Sequence, residues 1–127
     1  MSDTSDAAAR PLVYVAGPIT GDPWHCVRKA IGASNTLHAL DMTAYLPQLS
    51  VLHEMIEPQP YSFWIEHGMV MLARCDGVFR IPGDSPGADL EAELALELDI
   101  PVWEPAKGRT AVEFSDWCEL VHERAQS

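Results

Sequence analysis

The sequence predicts an α/β protein with one domain, built on an open parallel sheet of four or five strands with helices on both faces. Four short apolar runs of strand length alternate along the chain with segments of helical period. Such alternation is typical of parallel sheets, because each crossover between parallel strands needs a helix that packs on the sheet. The chain of 127 residues suits one hydrophobic core. The predicted arrangement is therefore Rossmann- or flavodoxin-like.

The composition predicts an acidic globular protein. Hydrophobic residues make up 47% of the chain, and the formal net charge is -11. This charge argues against partners such as polymeric nucleic acid or an anionic membrane surface. No apolar run approaches the ~20 residues of a membrane span, and the first residues lack a leader pattern. We expect a cytoplasmic protein with a disordered tail at residues 1–10 and the domain at residues 11–127.

The cysteines carry no sign of a disulfide framework or a metal site. The chain has three cysteines at wide spacing, which is typical of reduced thiols. No cluster with the ligand spacing of a zinc site is present in the sequence. We therefore expect neither a metal nor a cofactor.

The first third of the chain predicts a strand, a loop and a helix. The apolar run Leu12–Ala16 is the first strand, and residues 17–21 form a loop rich in glycine. Asp22 suits the N-cap of the next helix and Pro23 its first position. Apolar residues then recur at helical spacing to about Leu40.

The middle of the chain is less regular. Residues 43–46 predict a short second strand, and the prolines of residues 47–60 leave room for a short helical turn that could cover a site. Residues 63–73 predict a helix with an apolar face. We interpret His67 on that helix as a packed, hydrogen-bonded side chain rather than a ligand or a base.

The stretch from residue 75 to residue 102 organises the rest of the chain. It predicts a buried strand at 77–81, a tight turn, a helix capped by Ser85 that ends near Asp99, and a last strand at Val102–Trp103. Two loops should then lie at the carboxyl ends of the strands, at residues 17–21 and 82–88. Ligands of open α/β sheets bind at that edge, so both loops should face one pocket.

The C-terminal part predicts one more helix. Residues 107–108 suggest a turn, and Thr110 with Glu113 has the spacing of a capping box. The apolar face of this helix should pack on the protein's own sheet; it consists of Phe114, Trp117, Cys118 and Val121.

Glu91 breaks the pattern of the helix that follows Ser85. At about 100° per residue it falls on the apolar side, between Ala95 and Leu98. A carboxylate there costs free energy unless it has a partner or a catalytic task. The alternative is a structural acid that the helix dipole stabilises. One turn earlier, the backbone N–H groups of Ser85, Gly87 and Ala88 predict a phosphate site.

Three ordered motifs resemble the nucleoside 2-deoxyribosyltransferase-like superfamily. They are YVAGPITG at 14–21, CD at 75–76 and S-x-G-A-x-x-E at 85–91. The resemblance covers residues 12–103. The superfamily includes deoxyribosyltransferases, nucleotide N-glycosidases that release a base from a nucleoside 5′-monophosphate, and small bacterial and phage proteins. The resemblance implies an enzyme of nucleotide metabolism, either a hydrolase or a transferase.

The resemblance also implies roles for individual residues. Glu91 corresponds to the nucleophile that attacks the anomeric carbon, and Tyr14 to a tyrosine close to the sugar and that glutamate. Ser85 corresponds to the serine that the nucleotide hydrolases use for the 5′-phosphate, which favours a monophosphate substrate. The loop against base and sugar corresponds to Gly17, Pro18 and Ile19. Relatives assemble as dimers or larger homo-oligomers.

One position departs from the superfamily. Gly68 stands where an aspartate usually holds sugar hydroxyls, eight residues before Asp76. Its neighbours Glu66 and His67 point in other directions on a helix. The alternative to an enzyme is therefore a nucleotide-binding module that has lost catalysis, and a third possibility is an interaction protein that uses the fold alone.

The leaving base needs a proton. Asp84 and Asp89 are candidate donors by position, although solvation at the surface is the simpler interpretation of each.

Overall fold

A sheet of four parallel strands forms the centre of the molecule. The computed structural model describes residues 7–19, 21–104 and 113–127. Within these ranges the strands are β1 Leu12–Ala16, β2 Thr43–Tyr45, β3 Gly77–Arg80 and β4 Val102–Trp103. Their order in the sheet is β2-β1-β3-β4, and every neighbouring pair is parallel. The predicted parallel sheet is confirmed, with β2 and β3 each one residue shorter than expected.

Five α-helices surround this sheet in the described part of the chain. They are α1 Pro23–Ala39, α2 Ser50–Ile56, α3 Tyr61–Ala73, α4 Pro86–Glu97 and α5 Phe114–Ala125, with a 3-10 turn at Pro47–Leu49 before α2. Helix α3 begins two residues earlier than the sequence pattern predicts. None of these helices has the length and apolar character that crossing a membrane requires.

The ends of the helices follow from local chemistry. The Asp22 carboxylate accepts hydrogen bonds from the N–H groups of Trp24 and His25 at the start of α1. Helix α4 ends at Glu97, and Asp99 then takes a left-handed conformation with φ 58° that turns the chain toward β4.

The alternating side chains of β1 divide the core into two halves. Tyr14 and Ala16 face α3 and α4, and the buried residues of α4 on that side are alanines: Ala88, Ala92 and Ala95. Val13 and Val15 face the opposite side, together with buried residues of α1 and α5. Small alanines let the axis of α4 approach the sheet closely, which brings its other side chains near β1.

Helix α5 packs on the sheet, as its pattern predicts. Trp117 and Val121 are fully buried, and the Trp117 indole donates a hydrogen bond to the carbonyl of Pro101 at 3.1 Å. The predicted turn at 107–108, Thr110 of the predicted capping box and residues 1–6 of the predicted tail lie outside the described residues. Glu113 occupies the N-cap position of α5 and makes no side-chain capping hydrogen bond.

Gly77 allows the close packing of α5 on β3. A Cβ atom at this position would lie 2.5 Å from Cγ2 of Val121. Gly77→Ala should therefore lower the free energy of unfolding by about 1–3 kcal/mol, measured by urea denaturation. The control is Gly32→Ala on the exposed side of α1, where nothing lies within 4 Å of the added carbon. That change should raise stability by about 0.5–1 kcal/mol; equal effects at both positions would contradict the packing argument.

Candidate active site

A cavity of about 440 Å³ lies beside the carboxyl end of β1, between α3 and α4. Residues from both predicted loops line it. Of the eight site residues that the sequence predicts, seven are in its wall: Tyr14, Gly17, Ile19, Ser85, Gly87, Ala88 and Glu91. Pro18 instead lines a separate cavity of about 190 Å³ with residues of α1. The fold therefore brings most of the predicted positions to one place.

The Tyr14 phenol and the Glu91 carboxylate form a hydrogen-bonded pair in this cavity. The Tyr14 hydroxyl donates to Oε2 of Glu91, which joins the middle of β1 to the second turn of α4. Tyr14 is 1% exposed and Glu91 is half-buried. The carboxylate on the apolar side of α4 thus has a partner, the phenol of a residue in the central strand. The alternative that the helix dipole alone stabilises Glu91 is also weakened, since the dipole acts mainly on the first turn of a helix.

The surroundings of the pair shift both proton affinities. Burial raises the pKa of Glu91 to about 7, although the hydrogen bond from Tyr14 and the charge of Arg80 oppose the rise. Burial and the nearby carboxylate of Glu91 raise the pKa of Tyr14, so its phenol remains a donor. A glutamate with this pKa is partly ionised at neutral pH. It can therefore act either as a nucleophile or as an acid.

Gly68 lies directly over the pair. This buried glycine of α3 has no side chain, and a Cβ atom there would lie 3.0 Å from the Tyr14 hydroxyl and 3.5 Å from Oε2 of Glu91. An aspartate at this position would press a second carboxylate against Glu91, which costs free energy unless one of them is protonated. Glycine therefore allows the backbone of α3 to cover the pair.

Arg80 places a buried positive charge beneath the loop that follows β3. Its guanidinium is 2% exposed, donates to the carbonyls of Ile81 and Gly83, and pairs with Oδ1 of Asp89 at 3.1 Å. Asp89 thus engages a buried cation rather than being solvated alone. Asp84 is exposed and does not line the cavity. Arg80 was not predicted as a site residue, although a single basic residue in an apolar strand was the available signal.

Ser85 shapes the start of α4. Its Oγ accepts a hydrogen bond from the N–H of Ala88 at 3.1 Å, as its N-cap position predicts. This bond uses a lone pair of the oxygen, so the hydroxyl hydrogen can be directed toward a ligand. The N–H of Ala88 is therefore engaged within the turn, and the donors left for a ligand at this point of the cavity are the Ser85 hydroxyl and the N–H of Gly87.

The segment 47–60, which the sequence suggests as a cover for a site, contributes two residues to the cavity wall. Pro47 and Ser50 belong to the cavity wall. Oε2 of Glu54 accepts hydrogen bonds from the Trp64 indole at 2.7 Å and from the N–H of Gln59 at 3.0 Å. Glu54 therefore fastens α2 to α3, which holds this segment in position.

A second hydrogen-bonded pair lines the same cavity. The Tyr45 hydroxyl, at the end of β2, lies 3.1 Å from Nε2 of His67. The rings of Tyr45 and Tyr14 have centroids 5.5 Å apart. His67 is hydrogen-bonded and packed as predicted, since its ring stacks on Phe63. The expectation that it points away from the position of Gly68 is wrong, because both residues line the cavity. Tyr45 was missed, and its place at the carboxyl end of a predicted strand was the signal for it.

Comparisons with known proteins agree with this fold. The family model described as DUF4406, a domain of unknown function, matches residues 11–104. The 2-deoxyribosyltransferase of the psychrotolerant bacterium Bacillus psychrosaccharolyticus has a similar structure, with a TM-score of 0.54 and 21% sequence identity over 72% of this chain and 69% of that chain. The comparison with curated proteins gives no match. The structural similarity shows a shared fold.

The raised pKa of Glu91 makes stability depend on pH. Because its folded pKa of about 7 exceeds the ordinary value of 4.5, the folded state holds this proton more tightly. The contribution of Glu91 to stability is then fully present below about pH 4.5 and falls as pH rises toward 7. Glu91→Gln should remove this fall. The unfolding free energy of the variant minus that of the parent should increase by about 1–3 kcal/mol between pH 4.5 and pH 7.5, measured by urea denaturation. A difference that stays constant with pH would refute a buried, titrating Glu91.

Proposed function

The chain belongs to the DUF4406 family, whose function is unknown, and we propose that it breaks the N-glycosidic bond of a nucleoside 5′-monophosphate. The sugar phosphate would then be transferred to water or to a second base. One observation carries the proposal: the Glu91 carboxylate, held by Tyr14, faces a cavity of about 440 Å³ at the carboxyl edge of the sheet. That volume is in the range of small-molecule sites.

The chemistry needs a carboxylate in this position. Breaking a glycosidic bond develops positive charge on the anomeric carbon, and a carboxylate beneath that carbon can bond to it, as in retaining glycosidases. Glu91 would form the ester while Tyr14 fixes the direction of its carboxylate. Attack by water on the ester then gives hydrolysis, and attack by a second base gives transfer.

The start of α4 would hold the phosphate. Ser85 and Gly87 line the cavity one turn before Glu91, where N–H groups and the positive end of the helix dipole favour an anion. The buried guanidinium of Arg80 lies beneath the same loop, where Asp89 balances its charge. A monophosphate seated there would place its sugar near Glu91. This is the basis for proposing a nucleotide rather than a free nucleoside.

A nucleotide-binding module without catalysis is the second candidate. Gly68 favours it, since the superfamily that the motifs resemble usually has an aspartate for the sugar hydroxyls at this position. Incubation with a panel of nucleosides and nucleoside monophosphates, followed by chromatography of released base, separates the two candidates. Tight binding of a monophosphate with no base released from any compound would establish the binding module.

We also propose a homodimer or larger homo-oligomer. Several large apolar side chains on α2, α3 and α4 are exposed: Met55, Ile56, Met69, Val70, Leu90 and Leu96. Exposed apolar surface of this kind is typical of contacts between subunits. The mass of the protein in solution, measured by sedimentation, tests this proposal; a monomer at all concentrations would contradict it.

Glu91→Gln should lower base release by at least about 1000-fold, because the amide cannot attack the anomeric carbon. The amide oxygen can still accept from Tyr14, so the fold should persist. The control is Glu66→Gln, which makes the same change at an exposed position of α3 outside the cavity wall. Turnover by chromatography and melting temperature by calorimetry are the measurements. A Glu91→Gln protein with normal turnover and a lowered melting temperature would mean that Glu91 is structural.

Ser85→Asp should weaken binding of a monophosphate by about tenfold or more and change nucleoside binding by less than about threefold. The added carboxylate repels the phosphate, whereas aspartate remains a good N-cap for α4. Titration calorimetry with both ligands gives the comparison. Ser62→Asp adds the same charge at an exposed position outside the cavity wall and serves as the control. Equal losses for nucleotide and nucleoside would place the phosphate elsewhere.

A further inference from the structure

We propose that Tyr45 and His67 deliver the proton to the departing base, an inference that rests on the proposed cleavage of an N-glycosidic bond. When that bond breaks, its electron pair remains on a nitrogen of the base. An unprotonated base is a poor leaving group, so an acid positioned near it accelerates departure. The structure places a phenol and an imidazole, hydrogen-bonded to each other, in the same cavity as Glu91.

The pair enters the cavity from elements other than the helix that carries the nucleophile. In a displacement at the anomeric carbon, the nucleophile and the leaving group lie on opposite faces of the sugar. Glu91 belongs to α4, whereas Tyr45 belongs to β2 and His67 to α3. The centroid of the Tyr45 ring lies 5.5 Å from that of Tyr14, so the proton donor lies beside the nucleophile pair in the same cavity.

The acids suggested by the sequence are less suited to the role. Asp84 is exposed and outside the cavity wall, and Asp89 pairs with the buried Arg80. Glu93 and Glu97 do line the cavity, but they belong to the same helix as Glu91 and would approach from the nucleophile's side. His67 and Tyr45 combine a position in the wall, a place away from α4 and a hydrogen bond to each other.

An imidazole exchanges its proton readily, which a phenol does not. Histidine gains and loses a proton near neutral pH, whereas a phenol holds its proton tightly, and burial raises the pKa of Tyr45 further. Tyr45 alone would therefore be a slow acid. Because Nε2 of His67 lies 3.1 Å from the phenol oxygen, that oxygen can receive a proton from a protonated imidazole while it gives up another.

The proton balance closes over both halves of the reaction. In the first half, the C1′–N bond breaks, a Glu91 oxygen bonds to C1′, Tyr45 O–H protonates the base, and His67 Nε2–H restores the phenol. In the second half, water attacks C1′ and the ester bond returns its electron pair to Glu91. The proton released by the water passes through the Tyr45 oxygen to His67. The net reaction consumes one water and releases a neutral base.

A structural role for the pair predicts something different. The contact between Tyr45 and His67 also joins β2 to α3, so its loss could simply loosen the cavity. Loosening would slow every substrate alike and lower the melting temperature. Loss of an acid slows only those substrates whose leaving group needs a proton.

The experiment compares two leaving groups in Tyr45→Phe and His67→Asn. One substrate is the nucleotide that the parent cleaves best; the other is the matching 4-nitrophenyl furanoside 5-phosphate, whose nitrophenolate departs without protonation. Both variants should lose about 100-fold or more in kcat on the nucleotide with KM within about twofold, and stay within about threefold of the parent on the nitrophenyl probe. His53→Asn is the matched control, since His53, like His67, contacts Trp64 edge-to-face but does not line the cavity.

Each other outcome overturns the proposal. Equal losses on both substrates would show a structural role, and normal turnover of the nucleotide would show that the pair is not the acid. If the parent rejects the nitrophenyl probe, a loss that falls on KM rather than on kcat in the nucleotide reaction would refute the role. A parent protein that cleaves neither substrate would refute the proposed function itself, and this inference with it.

Discussion

The hydrogen bond between Tyr14 and Glu91 is the interaction on which the site depends. A carboxylate on the inner side of a helix is tolerated only where a donor meets it, and the donor here comes from the central strand. The two can meet because the inner face of α4 consists of alanines, and because Gly68 leaves room above them. Small residues on two helices thus allow one polar contact between the sheet and α4.

The alignment of β1 with β3 determines where the Tyr14–Glu91 pair meets the cavity. Asp76, of the CD motif, accepts a hydrogen bond from the N–H of Leu12 at 2.9 Å, and its own N–H donates to the Leu12 carbonyl at 2.7 Å. This double contact fixes the entry of β3 beside the entry of β1. Both strands then end near one another, and Arg80 at the end of β3 holds the following loop through its carbonyls. The aspartate of the motif therefore acts as a structural clamp, at the opposite end of the strands from the cavity.

Much of the fold was predictable from the sequence because its signals are local. The N-caps at Asp22 and Ser85 and the apolar runs of the strands lie within a few residues of the elements that they define. Glu91 could also be singled out, since it breaks a local periodicity. Contacts between distant residues were not predictable in this way. Arg80 with Asp89 joins a strand to a helix, and Tyr45 with His67 joins residues 22 positions apart whose approach depends on the whole sheet.

The wall of the cavity has an electrostatic consequence for how a ligand arrives. Glu93 and Glu97 belong to that wall beside Glu91, and the chain as a whole carries a formal net charge of -11. A doubly negative ligand approaching α4 would meet repulsion before it reaches the donors at the start of the helix. Dissolved ions screen exposed charges over about 8–10 Å at physiological ionic strength. Association of a phosphate-bearing ligand should thus become faster as salt is added, whereas an uncharged nucleoside would enter at a rate nearly independent of ionic strength.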